Sequence, residues 1–156
     1  MTERICAVFN VTSRYPDEAI DLENSKLQDY MNTFNPAHLV FKDGVVPTKF
    51  NIRRLSPSAL SAVKQAAMTK GAGVAMSYSV TLGLISITSP DGSVYAPETT
   101  TSKVENRDVV AHKDPVAVSD YLVDTYGYDI LAELSNAVMR VSEMPLHLSP
   151  FLPKAV

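Results

Sequence analysis

A single cysteine, Cys6, stands in the 156 residues, which excludes an internal disulfide framework and any cysteine-rich zinc site. Its neighbourhood offers no CxxC spacing and no histidine, so Cys6 is expected to serve as a small apolar residue in a reducing compartment. Long apolar runs are equally absent. No segment approaches the roughly 20 residues that cross a bilayer, and the first 18 residues lack a basic start and a small-residue cleavage site. The expectation is a mature protein used in a cytoplasm. Basic charge is scarce too, with 14 Lys and Arg against 17 Asp and Glu, a net charge of -3 and a pI near 5.5. No basic cluster exceeds the pair Arg53-Arg54, which argues against a nucleic-acid surface.

Catalytic patterns are missing as well. His38, His112 and His147 fall on three separate predicted loops or strand ends without a local second ligand or base, and are expected to be surface or loop histidines. The serines show neither a GxSxG elbow nor SxxK spacing. "KGAGVAMS" matches no phosphate-binding fingerprint and reads as a helix end, and Asp17-Glu18 suits a helix N-terminus better than acid–base work. No internal repeat or low-complexity tract is present. The sequence therefore predicts no catalytic residue, no cofactor and no metal.

What is there is an ordinary globular composition, 46% hydrophobic and 20% charged, and enough chain for one core. Residues 1–36 read as an N-terminal arm, with a strand in "RICAVFNV" and a short helix after Pro16. In "HLVFKDGVVPTKFNIRRL" two β-rich runs flank Asp43-Gly44, a hairpin turn signal. Pro47 has no amide to donate, placing the second strand at an edge. Ser56 and Pro57 then start a helix with Leu60, Val63 and Ala67 on its apolar stripe. Residues 74–84 alternate like a strand, although Tyr78, Leu82 and Ile85 also align at helical spacing. "TSPDGSVYAPETTTSKVENRD" has no hydrophobic period and reads as a long loop.

Two helices follow. Asp114-Pro115 opens the first, whose buried side is Val118, Tyr121, Leu122 and Thr125 or Tyr126, and Gly127 ends it. In the second, "YDILAELSNAVMRVSEMP", Ile130, Leu134, Val138 and Val141 share one face and Glu133, Asn136, Arg140 and Glu143 the other. The core domain thus spans 37–145, and 146–156 form an extended tail. The fold class expected is mainly α within α+β: a helical domain with a leading hairpin and terminal arms.

Adhesive surface is the remaining signal. Met68, Met76, Met139 and Met144 lie on or beside the helices, and methionine suits surfaces that grip varied apolar partners. Met139 leans off the main apolar stripe, and the tail carries Leu146, Leu148, Phe151 and Leu152. Met139, Met144 and these four tail residues are the expected partner contacts.

The order of features resembles the tail assembly chaperones of long-tailed bacteriophages over roughly residues 45–145. "FNIRRLSPSALSAVKQAAM" is similar to their strand, "LS" and helix opening. "VTLGLISITSPDGSVYAP" looks like their central helix running into an Asp-Gly turn, and "ELSNAVMRVSEM" resembles their terminal helix. The resemblance implies helix over 74–86, no catalysis, and binding to the hydrophobic tape-measure protein and to tail-tube subunits in the host cytoplasm. Charge and the lack of long apolar runs predict no nucleic-acid or membrane partner, and a homo-oligomer or a larger assembly is expected. The alternatives are a structural subunit of the virion neck, tail or capsid, and a small enzyme whose site leaves no sequence pattern.

Overall fold

A computed structural model describes residues 5–8, 21, 23–33, 38–42 and 48–143. The centre of the fold is set by "KFNIR", where Phe50 and Ile52 alternate with exposed or half-exposed residues. This strand, β2 (Lys49–Arg53), follows β1 (Ile5–Val8) and the short α1 (Leu27–Thr33). It runs antiparallel between β1 and β3 (Leu84–Thr88), and β3 pairs in turn with β4 (Val94–Tyr95). The expected hairpin across Asp43-Gly44 is therefore corrected. The partners of β2 come from distant sequence, and the strand is interior to its sheet rather than at an edge. Residues 43–47, including Pro47, lie outside the described residues, as does the predicted helix start at Pro16.

Helix α2 (Pro57–Thr69) begins as its sequence predicts, with the Ser56 hydroxyl accepting the Ala59 amide at 3.2 Å. Its buried face is Ala59, Ala62, Val63 and Ala66, so the stripe is rotated from the predicted one and Ala67 is exposed. Helix α3 (Ala72–Gly83) runs without a loop into β3, the Leu84 amide still bonding to the Val80 carbonyl. The strand alternation expected over 74–84 is therefore overturned, because residues 74–83 are helix and only Leu84 is strand. The helix implied for 74–86 stops at Gly83, and strand begins at Leu84. A β-bulge between Asn51 and Ile52 lets Leu84 and Ile87, three residues apart, face the same core as Ile52 and Phe50. That offset breaks a period of two.

The stretch expected as a long loop is mostly strand. It supplies β4 and then β5 (Thr99–Val104), which pairs with β6 (Arg107–His112) as a separate two-stranded sheet. β5 is largely exposed, so its threonines show no hydrophobic period. Its link to β6 is a two-residue turn with positive φ at Glu105 and Asn106 (50° and 63°), a hairpin conformation that asparagine accepts readily and glutamate does not. Lys70 holds Glu105 there through an ion pair of 2.7 Å. That bond, followed by one the ammonium donates to Tyr78, also raises the Lys70 pKa.

Helix α4 (Pro115–Tyr126) is capped by the Asp114 carboxylate at the Ala117 amide (3.1 Å), and Gly127 ends it at φ 90°. Helix α5 (Asp129–Glu143) buries Ile130, Leu134, Val138 and Val141 as its spacing predicts. The fold is a mixed α+β domain, with five helices and six strands among the described residues. The stretch expected as an arm contributes β1 to the sheet and a fully buried Tyr30 to the core.

The C-terminal turn of α5 is tied to the end of β2. Arg54 Nη1 donates to the Val141 carbonyl at 2.6 Å, where a cation suits a helix C-terminus. The Ser142 hydroxyl accepts the buried Leu55 amide at 3.0 Å and donates to the Val138 carbonyl at 2.5 Å. Ser142→Ala strands that amide away from water, and the expected cost is about 1–3 kcal/mol. Urea unfolding of the variant measures it, and an unchanged midpoint would show that the amide finds another acceptor.

Candidate protein-binding face

Helices α2, α3 and α5 lie side by side, and the seam between them is open to solvent. Its walls and floor are Val63 and Ala67 of α2, Ala75 and Met76 of α3, and Ala132 and Met139 of α5, around a groove of about 370 Å³. Alanine is what leaves it open. Ala67 and Ala132 are exposed apolar positions that a larger residue would fill. Met76 and Met139 are half-buried and packed on the core beneath. Met68, next on α2 at helical spacing from Lys64, is 87% exposed. Asn136 and Met139 also line a second, more polar cleft with Asn32 of α1 and Arg140 and Glu143 of α5. The two grooves meet at Met139.

Charge frames the groove without dominating it. Lys64 and Glu143 pair across from α2 to α5 at 3.6 Å with both side chains more than half exposed, a contact worth little in water. Inside, Ser79 of α3 and Ser135 of α5 share a hydrogen bond of 2.7 Å, and these small hydroxyls let the two helices approach closely.

Of the expected contact residues, the structure places Met139 at the junction of these grooves. Met144, Leu146, Leu148, Phe151 and Leu152 lie outside the described residues. Of the histidines, His38 is half-exposed on a loop and His147 is outside the described residues. His112 departs from the expectation. It ends β6 at 4% exposure, with Nε2 2.7 Å from the Leu84 carbonyl. Its signal in the sequence was the run "DVVAH", in which Val109 and Ala111 alternate into the core. The groove alanines carried no comparable signal, because alanine is as common inside a protein as on a helix surface.

Among the described residues no group of His, Cys, Asp and Glu is placed to hold a metal ion, and no helix is long and apolar enough to cross a membrane. No protein-family model, curated protein or solved structure matches the chain.

Proposed function

We propose that the protein is a non-enzymatic bacteriophage assembly factor that uses the α2–α3–α5 face to hold an apolar helical segment of a partner. The observation that carries the reading is the alanine-floored, methionine-rimmed groove. Small residues allow a helix backbone to come close, methionines adapt to its side chains, and amphipathic helices are a common occupant of such grooves. The resemblance to tail assembly chaperones supplies the partner class, the tape-measure protein, with tail-tube subunits brought to it in the host cytoplasm.

The test is affinity for the tape-measure protein of the same genome. Ala67→Glu and Ala132→Glu alter exposed groove positions, so stability should stay within about 0.5 kcal/mol. Affinity should fall at least about tenfold, or roughly 1.4 kcal/mol. Val116→Glu, at an exposed position on α4, should leave affinity unchanged. Absence of a complex with the parent chain, or equal behaviour of all three variants, would reject the reading. Retention in purified particles would instead identify a virion subunit.

A further inference from the structure

The β5–β6 hairpin shares no backbone ladder with the four-stranded sheet. Three kinds of contact hold it to the rest of the domain, alongside Val104 of β5, which packs on the core. Val109 and Ala111 are buried beneath it, Lys70 grips Glu105 at its turn, and His112 reaches Leu84 at its base. The last contact joins β6 to the point where α3 becomes β3. A carbonyl can only accept, so the neutral imidazole there carries its proton on Nε2. Nδ1 is then a bare lone pair, and it has no hydrogen-bond partner among the described residues.

We propose that His112 is a pH-sensitive latch, fastening the hairpin when neutral and releasing it when protonated. Protonation adds an N–H at Nδ1 where no acceptor faces it, inside a site only 4% exposed. A buried donor without a partner is costly, and so is a buried charge. The surroundings offer little relief. Arg53, on β2, adds like charge. Helix α3 contains no charged residue, only the phenol of Tyr78. On α2 and just past its end, Lys64 and Lys70 are cations engaged with Glu143 and Glu105. Asp114 caps α4, Asp120 and Asp124 are exposed, and Glu98 pairs with Lys113 at 3.7 Å in solvent.

Burial is the largest influence on the ring and lowers its pKa from 6.5; the Leu84 carbonyl opposes this and Arg53 reinforces it. The fastened state therefore binds fewer protons than the released one. Its full stability is present above about pH 6.5, the ordinary imidazole value, and is lost as pH falls through the depressed value. Because the hairpin has its own ladder and its own turn, release separates it as a unit and leaves the four-stranded sheet and α5 in place.

Amide hydrogen exchange on the full chain at pH 7.5 and pH 5.0, expressed as protection factors, tests this. Protection in β5 and β6 should fall at least about tenfold more than protection in α5 on acidification. His112→Gln keeps a donor near the Nε2 position but cannot gain charge, and should remove that difference. Equal loss in the hairpin and α5, no loss in either, or a pH-dependence that survives in His112→Gln would overturn the latch. If the variant does not fold, NMR titration of His112 in the parent chain decides. A midpoint below 6.5 that coincides with hairpin release supports the latch, and one at or above 6.5 overturns it.

Discussion

Phe50→Ala should lower the free energy of unfolding by about 3–5 kcal/mol. Phe50 is fully buried at the centre of β2 and stands opposite Ile87 of β3. Its ring meets Tyr126 of α4 edge-on at 5.1 Å. Tyr126 in turn meets Tyr121 at 6.4 Å, and Tyr121 stacks on Tyr95 of β4 at 4.0 Å. The substitution thus opens a cavity where the sheet and α4 are joined and removes the inner end of an aromatic chain. Edge-to-face pairs contribute about 0.5–1.5 kcal/mol beyond the area they bury. A typical domain has only 5–15 kcal/mol in total, so the variant should unfold at much lower urea with an unchanged slope. A loss under about 1 kcal/mol would mean that α4 and the sheet close over the gap.

Gly83→Ala should destabilise by about 1–3 kcal/mol, against the usual direction for a helical glycine. In an unconstrained helix, alanine would be favoured by roughly 0.5–1 kcal/mol. Here a Cβ on Gly83 would lie 2.5 Å and 2.6 Å from the two methyl carbons of Val138 and 3.2 Å from its Cβ. Valine in a helix is nearly fixed in one rotamer, and Val138 is fully buried, so the methyls cannot turn aside. Helices α3 and α5 must separate instead, at the base of the proposed binding face. Val138→Ala removes both obstructing methyls, and the double variant should recover about 0.5–3 kcal/mol relative to the sum of the single losses. Purely additive losses would show that Gly83 is needed for something other than clearance.

Which elements were legible in the sequence follows from how local their causes are. The starts of α2 and α4 were plain, because Ser56-Pro57 and Asp114-Pro115 act within a single turn. The buried face of α5 was plain because Ile130, Leu134, Val138 and Val141 repeat at helical spacing. Strand pairing was not legible. Asp43-Gly44 invites a hairpin, yet β2 takes its partners from residues 5–8 and 84–88, and local turn chemistry does not report distant partners. The bulge at Asn51/Ile52 hid β3, while exposure on both faces hid β5. The turn at Glu105-Asn106 lacks the glycine that usually marks such a hairpin, and its glutamate is held by Lys70 just past the end of α2. For the proposed binding face, Met139 could be suspected from its position off the apolar stripe. Its companions Ala67 and Ala132 could not, since only the packing of three helices makes their small size a groove.

The proposed function rests on one surface, and hydrogen exchange of the full chain with and without the tape-measure protein of the same genome tests it most directly. Binding should add protection in α5 around Ala132–Met139, and across Ala67–Met76 at the end of α2 and the start of α3. Strands β4 and β5 should be unchanged. Protection confined to β5, or no complex at all, would contradict the account.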